Sequence, residues 1–480
     1  MGSGPGNILV PIAFLAFPLL VMALFKKFES PQASATAFVF GWMFLPVANY
    51  DIFLLHNTKT VVICLSILLN AYLFDKEQLS SFKFNIVDIP MLLWCSAPFF
   101  SSITNGLGAY DGLASALYHS EKWGMPYYIA RVYFSDEASV KMLAFIIFIG
   151  TLVYIPFCWF EMIMSPQLHR LTYGFFQHDF IQTLREGGGY RPMVFMEHGL
   201  MTSMWMVLGV FFGIWMLLTG IMPKKIMHIP SNYLLLLLIF TTIMMRSAGA
   251  ISLLIIAIFS LYISNKTKTI WLLLTLLIVP HLYIVTRTTG FWDGRNLSDF
   301  VSAKFSSNRS ESLQYRFDNE NILIQKALQG SFFGWGGFGR SRVYDESGKD
   351  ISVSDGLWII TFGQYGIYGI SMLLIAIQWP IILFLKRIKP ERWKNPSWGA
   401  SAVMAHFLGI FMIDNLLNAM INPIYMLFSG SLISVYLNSS KTVSPAIDRG
   451  MLRTEAEHKR TTSQTRYISS PNINPSRFIG

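Results

Sequence analysis

Arginines recur between the apolar runs of this chain, and their chemistry suits a phosphate ligand. Arginine stays protonated in almost any surroundings, and its planar guanidinium forms paired hydrogen bonds with phosphate oxygens. We therefore predict that a group of them binds a phosphate or diphosphate. The alternative is a set of loop charges that are solvated or paired with Asp and Glu. The predicted diphosphate-binding residues are Arg191, Arg246, Arg309, Arg316, Arg340 and Arg342.

The first cluster follows three consecutive glycines, 187–189. Pro192 suits the first position of a helix, which would place Arg191 at a helix mouth. Glu197 and His198 would then lie about two turns inside an apolar run, and ionisable groups at that depth of a membrane helix are candidates for function. The alternative is a structural Arg191–Glu197 pair, with His198 hydrogen-bonded to a neighbouring helix.

The second arginine segment, 307–320, reads as a capped amphipathic helix that ends near Gly330. Arg309 and Arg316 are seven residues apart and would share one helix face. Glu320 lies four residues after Arg316, on the same side. These spacings predict a helix that presents two cations in one direction.

Glycines alternate with aromatic residues in 334–342, a composition that suits sugar binding. The apolar face of a sugar can lie on a ring while backbone amides meet its hydroxyls. The alternative is an ordered loop that only closes the domain. The predicted sugar-binding residues are Trp335, Gly336, Tyr315 and Asn319.

A general base is the remaining requirement, and Asp355 is one candidate because Asp355-Gly356 stands at the mouth of an apolar run. The sequence does not rank it against the others; the predicted catalytic residues are Asp355, Glu320, His198 and Glu197. The sequence holds no Asp-x-Asp pair, Walker-A motif or Cys/His cluster with metal-ligand spacing. We therefore predict neither a metal nor a cofactor.

The elements that position these residues are apolar helices. Apolar residues make up 53% of the chain and charged residues 13%, about half the share of a soluble protein. We predict an all-α polytopic membrane protein with about 12–13 transmembrane helices, residues 1–440 forming the transmembrane body. The amphipathic segment Asp111–Phe134 is either an extra span or an interfacial helix. The apolar runs are Ile8–Phe25, Ala33–Ala48, Val61–Phe74, Val87–Ile103, Met142–Met164, Val194–Gly220, Tyr233–Met245, Ala250–Ile263, Ile270–Val285, Leu357–Leu385, Ser397–Ile413 and Pro423–Leu437.

Orientation follows from the positive-inside rule. Lysine-rich loops and the tail 441–480 are assigned to the cytoplasm, and the composition of the tail predicts a basic, disordered segment. The segment 165–193, the turn at Arg246 and the long loop 287–354 then lie outside. The lysines and arginines behind this assignment are Lys224, Lys225, Lys266, Lys268, Lys386, Arg387, Lys389, Arg392 and Lys394.

The order of these motifs resembles the O-antigen ligase and Wzy-type O-antigen and exopolysaccharide polymerase superfamily of bacterial envelope glycosyltransferases. The resemblance covers roughly 187–369 and rests on Arg191…His198, the Arg246-Ser247 turn, Arg309…Arg316, and Phe333–Gly336 before Asp355. It implies a GT-C-like, metal-independent, inverting enzyme. Its donor would be an undecaprenyl-diphosphate-linked oligosaccharide and its acceptor a growing glycan.

The resemblance also implies a location and partners. The protein would be a multi-pass protein of the bacterial plasma (inner) membrane with its active site on the periplasmic or external side. Its partners would be the lipid bilayer and, within the pathway, a flippase and a chain-length regulator, with no nucleic acid. Lipid A-core ligases carry His-Asn where this chain has Asp355-Gly356, which favours a polymerase. The alternatives are a ligase, a transporter or flippase of lipid-linked sugars, and an acyltransferase that uses His198 or His406.

Overall fold

The computed structural model describes residues 6–52, 55–185, 187–304 and 307–442, and it is mostly helical. Of the predicted tail 441–480, the described residues include only 441 and 442, which end the final helix. The rest of the tail lies outside the described residues. The helices are α1 Leu9–Lys27, α2 Ser30–Phe44, α3 Lys59–Phe74, α4 Lys76–Ser80, α5 Ile89–Thr104, α6 Ala109–His119, α7 Met125–Tyr133, α8 Glu137–Met164, α9 Leu168–Tyr173, α10 Gly199–Leu218, α11 Ser231–Met244, α12 Ala248–Thr267, α13 Trp271–Thr288, α14 Arg295–Lys304, α15 Ser307–Leu328, α16 Leu357–Arg387, α17 Gly399–Leu417 and α18 Ile424–Thr442.

Short elements complete the fold. A π-helical turn, Ser120–Gly124, joins α6 to α7, and 3-10 turns cover Ile86–Asp88, Phe180–Thr183 and Pro390–Arg392. Two antiparallel hairpins are formed by β1 Tyr50–Ile52 with β2 Leu55–Asn57, and by β3 Lys225–Ile226 with β4 Ile229–Pro230.

Apolar helices long enough to cross a membrane number eight among the described residues, which makes this a multi-pass membrane protein. They are α1, the segment 86–104 that contains α5, α8, α10, α12, α13, α16 and α17. Three shorter apolar helices, α3, α11 and α18, accompany them. Each of the predicted apolar runs overlaps a helix. The full count of 12–13 spans stays a prediction, as does the GT-C-like class.

The central helices of the bundle are α10 and α17. Each is buried over 83% of its apolar stretch, whereas α1 and α13 are buried over only 28%. A helix that is apolar on every side is stable only when other helices surround it or lipid bathes it. The first turn of α10 and the last turn of α17 are therefore rigid, because other helices surround both of these helices.

The loops gather at two opposite faces of the bundle. At one face the loop before α10 meets the turn after α11, where Arg246 Nη1 donates to Gly188 O at 2.9 Å. At the same face Leu357 N donates to Asn418 O at 3.0 Å, joining α16 to α17. At the other face Asn265 Nδ2 donates to Pro390 O at 2.7 Å. The segments that the lysine pattern assigned to opposite sides are thus separated in space.

The segment Ala109–Tyr133 contains α6, the π-helical turn and α7, and its ends are tied to different parts of the chain. Before it begins, Asn105 Nδ2 donates to Gly334 O at 2.8 Å. Near its end Arg131 pairs with Asp88 at 2.7 Å, and both side chains are buried. Its assignment as an extra span or an interfacial helix stays a prediction.

The long loop between α13 and α16 holds α14 and α15, and one buried ion pair anchors it to the bundle. Arg287 Nε lies 3.2 Å from Glu320 Oε2, and both side chains are buried. Tyr283 donates to Glu320 at 2.7 Å, and Trp358 donates at 3.1 Å. Breaking a buried pair on one side typically costs about 3–5 kcal/mol. The network therefore fixes α15 against the ends of α13 and α16.

Helix α16 is broken at Gly366, where the sequence predicts an uninterrupted run. Gly366 has φ 64° and ψ −158°, a conformation that only glycine adopts readily. The turn 332–336 fills the break: Trp335 N donates to Gly363 O at 3.0 Å and Gly336 N to Gln364 O at 2.9 Å. Carbonyls that lose their helical partners at the break are satisfied in this way.

Candidate functional site

The segment 191–198, predicted to be the start of a helix, is a loop. Helix α10 begins at Gly199, so Pro192 is not its first residue and Glu197 and His198 are not inside it. The backbone is not helical here, since Val194 has a positive φ of 55° and His198 is extended. The buried Glu161 carboxylate holds this loop by accepting from Met193 N at 2.8 Å and Val194 N at 2.7 Å.

Arg191 is held in this loop directly over the first turn of α10. A Cβ at Gly199 would lie 2.5 Å from Arg191 Cδ, so only glycine leaves room for the arginine stem. The buried Nε of Arg191 donates to no atom in the described part of the chain. Burial, together with Arg185 and Arg316, lowers the pKa of Arg191 to about 9. A cation crowded by cations favours the arrival of an anion.

Arg316 reaches the same place from α15 and is fixed by three acceptors. Its Nη1 donates to Leu417 O at 3.0 Å and to Asn418 Oδ1 at 3.2 Å. Its Nε lies 3.5 Å from Asp355 Oδ2. Glu320, four residues farther along the same helix, pairs with Arg287.

His198 is the N-cap of α10 and stays neutral. Its Nδ1 accepts from Leu200 N at 3.0 Å, so its Nε2 carries the hydrogen and donates to Gln182 Oε1 at 3.2 Å. Burial, followed by the charges of His178 and Arg191, lowers the pKa of His198 to about 3. With its lone pair committed to the helix, His198 is suited to donating a hydrogen bond rather than to accepting a proton.

His178 packs against His198 and belongs to the same group. The two rings lie 4.5 Å apart in an edge-to-face arrangement. The buried Nδ1 of His178 has no hydrogen-bond partner among the described residues. Arg185, which also lowers the pKa of Arg191, lies close enough to lower that of His198 too. The charges of Arg185, Arg191 and Arg316 thus all act on His198, which packs against His178.

A cavity of about 600 Å³ opens beside this cluster, a size typical of small-ligand sites. Asp355 and Glu197 contribute the carboxylates of its wall, and Glu197 is exposed there. Side chains that can hydrogen-bond to a sugar hydroxyl dominate the polar part. They are His178, Gln182, His198, Ser341, Arg342, Ser354 and Gln364.

The remaining predicted arginines have separate surroundings. Arg342 lines the cavity and pairs with Asp350 at 2.5 Å. Arg246 supports the triple-glycine loop through Gly188, and Arg340 Nη1 donates to Asn105 O at 3.3 Å. Arg309 is exposed on the first turn of α15. Of the six predicted arginines, the structure brings Arg191 and Arg316 together.

Most predicted sugar ligands have structural partners. The Trp335 indole donates to Lys326 O at 2.7 Å, its ring lies 3.9 Å from Lys326 Nζ, and the Gly336 amide is bonded to α16. Asn319 is buried and accepts from Val353 N at 2.8 Å. Tyr315 is 55% exposed on α15. The wall of the cavity includes none of these four residues, and their sugar binding stays a prediction.

Glu320 and Asp355 differ in availability. Three side chains donate to the Glu320 carboxylate, and burial raises its pKa despite them. Asp355 lies at the cavity with a side chain that is 38% exposed. The geometry therefore favours Asp355 as the group that could take a proton from a ligand in the cavity.

Sequence reasoning missed His178, Gln182 and Asn418, and it left Arg185 out of the diphosphate-binding set. His178 lies in an irregular segment and Gln182 in a single 3-10 turn, so neither follows a periodic pattern. Asn418 had a weak signal, since it lies four residues after Asp414 at the end of an apolar run. No feature of the sequence indicated that it meets Arg316, which is 102 residues away.

The fold and site together define a multi-pass membrane protein with a polar cavity and neighbouring arginines at one face of its helical bundle. No protein-family model matches this sequence, and no curated protein matches it at a significant level.

Proposed function

We propose that the protein is a polysaccharide polymerase that acts at the outer face of the bacterial plasma membrane. It transfers an oligosaccharide from undecaprenyl diphosphate to a hydroxyl of an acceptor sugar, without a metal and with inversion. The observation that carries this proposal is the contact between Arg316 and Asp355, which lines the cavity, with Arg191 near enough for Arg316 to lower its pKa.

The cations suit the leaving group. As the acceptor oxygen bonds to the anomeric carbon, the bond from that carbon to the phosphate oxygen breaks, and its electron pair leaves with the diphosphate. Preorganised donors aimed at such a charge contribute about 3–4 kcal/mol each. Arg191 and Arg316 are fixed by packing and hydrogen bonds, so they need no reorganisation when the charge develops.

Asp355 takes the proton that the acceptor hydroxyl loses. Its carboxylate lines the cavity and lies 3.5 Å from Arg316 Nε, so a ligand that contacts the carboxylate is close to that cation. A positioned base contributes roughly 10²–10⁴-fold to a rate. One displacement, with base and leaving group on opposite sides of the anomeric carbon, inverts the configuration.

The depth of the site suits a lipid-linked donor. Arg191 lies over the first turn of α10, and Arg316 is bonded to the last turn of α17. The ends of membrane helices are at headgroup level, where the diphosphate of an isoprenoid carrier resides while its tail stays in lipid. An arginine farther from the bundle, such as the 75%-exposed Arg295, is less suited.

A flippase for lipid-linked sugars is the second candidate, and broken α16 is the observation that favours it. Transporters often bind substrates at discontinuous helices. Here, however, the turn 332–336 fills the break, and its amides occupy the freed carbonyls. The polymerase remains the better-supported function.

The experiment compares the glycans of cells carrying Arg316→Ala with those of wild type, by gel sizing of lipid-linked and free material. A polymerase predicts single repeat units on the carrier at the outer face. Arg295→Ala, which removes an exposed arginine of the same loop, is the matched control and retains normal polymer. Arg316→Lys rescues only partly, because a point charge lacks the two-pronged geometry.

Other outcomes identify the alternatives. Intermediates trapped at the cytoplasmic face indicate a flippase, and normal polymer that stays on the carrier indicates a ligase. Polymer of normal length without acyl groups indicates an acyltransferase. Normal polymer length and yield in Arg316→Ala removes Arg316 from the mechanism.

A further inference from the structure

We infer that Asn418, itself held by Asp414, positions the Arg316 guanidinium for the phosphate groups of the donor, an inference that rests on the proposed function. Asn418 is the residue that follows α17 and caps its end. It lies where α15, α16 and α17 meet, and each of its polar groups has a different partner.

The side-chain amide links Asp414 to Arg316. Asn418 Nδ2 donates to Asp414 Oδ1 at 2.8 Å, while Asn418 Oδ1 accepts from Arg316 Nη1 at 3.2 Å. Asp414 Oδ1 accepts from the NH2 group of Asn418, which leaves the amide oxygen directed at Arg316. Without Asp414 the Asn418 amide could rotate and place its NH2 group, a donor, against Arg316 Nη1, which is also a donor.

The backbone of Asn418 links the same point to Asp355. Its carbonyl accepts from Leu357 N at 3.0 Å, two residues after Asp355. The approach is close, because a Cβ at Gly356 would lie 2.4 Å from Leu416 O. Asn418 therefore sets the position of Arg316 through its side chain and that of the Asp355 segment through its backbone.

The consequence for Arg316 is a fixed direction. Nη1 is bonded to Leu417 O and Asn418 Oδ1, and Nε faces Asp355. Nη2 has no hydrogen-bond partner among the described residues, so this nitrogen is the one left for a phosphate oxygen. A preorganised guanidinium loses less side-chain entropy when the ligand binds.

The test measures the Kd of undecaprenyl diphosphate for the full chain in nanodiscs, by native mass spectrometry. Asn418→Ala weakens binding about tenfold, the scale of one hydrogen bond to a charged group. Asp414→Asn, which keeps the size of the side chain, weakens it less. Asn415→Ala is the matched control, and it leaves Kd unchanged, since among the described residues the Asn415 side chain bonds only to Phe411 O in its own helix.

A double-mutant cycle separates positioning from general damage. In an Arg316→Ala background, Asn418→Ala has no further effect on Kd if it acts through Arg316. An equal loss in both backgrounds, or wild-type affinity in Asn418→Ala, overturns the inference while the proposed function stands. Failure of the wild-type protein to bind the probe overturns the proposed function, and the inference falls with it.

Discussion

Arg316 Nε lies 3.5 Å from Asp355 Oδ2, so the proposed phosphate-binding cation is also the partner of the proposed base. The two side chains are 28% and 38% exposed, and such partly solvated pairs contribute only about 0–1 kcal/mol. A diphosphate that binds Nη2 can therefore share Arg316 with Asp355. The proposed base and the proposed phosphate ligand then meet at one guanidinium beside the cavity.

Asp355→Asn is expected to lower transfer by roughly 10²–10⁴-fold, the usual contribution of a positioned base. Donor binding should persist, because the arginines remain. Asp350→Asn is the control, since Asp350 pairs with Arg342 in the same loop. Turnover of repeat units by reconstituted protein is the measurement, and full activity in Asp355→Asn would exclude Asp355 as the base.

His198 makes the stability of the protein depend on pH. Burial lowers its pKa from 6.5 to about 3 in the folded protein. Above pH 6.5 the residue is neutral in both states and carries no penalty. As the pH falls from 6.5 toward 3, His198 is protonated in the unfolded state but not in the folded state, so the free energy of unfolding decreases.

His198→Asn should flatten that decrease, because Asn does not titrate and is a good N-cap. Thermal unfolding in detergent between pH 7 and pH 4 measures the effect. An unchanged slope would show that other groups cause the acid sensitivity. Retained activity in the same variant would assign His198 to helix capping rather than to catalysis.

Glu161→Gln should destabilise the protein by about 1–3 kcal/mol, since an amide replaces a carboxylate that accepts from three backbone donors. The loop that carries Arg191 would loosen, so donor binding should weaken as well. Glu137→Gln is the control, because Glu137 forms a partly exposed pair with Lys141 on the surface of α8. Equal unfolding midpoints for the two variants would contradict the assigned role of Glu161.

Gly366→Ala should be strongly destabilising, because the Cβ would lie 2.3 Å from Phe332 O and the backbone conformation itself costs about 1–3 kcal/mol. Gly337→Ala in the adjoining loop has open space around the new methyl group and should behave as wild type. The measurements are the expression level and the unfolding temperature of the two variants. A tolerated Gly366→Ala would mean that α16 can close into a continuous helix.

The sequence by itself determined the helical membrane body, because long apolar runs can cross a bilayer only as helices or closed barrels. Each predicted run overlaps a helix, and the helix that carries Arg316 ends two residues before the predicted glycine. The distribution of lysine and arginine along the sequence also divided the loops between the two faces. These are local properties, decided by residues near one another in the chain.

Only the tertiary structure decided which polar side chains meet. Where the sequence predicted a helix, the Glu161 carboxylate holds the Arg191 loop from about 30 residues away, through bonds of 2.7 and 2.8 Å. Glu320 was drawn to Arg287, while Arg316 found Asn418 on another helix. A hydrogen bond needs partners within about 3 Å, and the packing of the helices sets that distance. No spacing in the sequence encodes it.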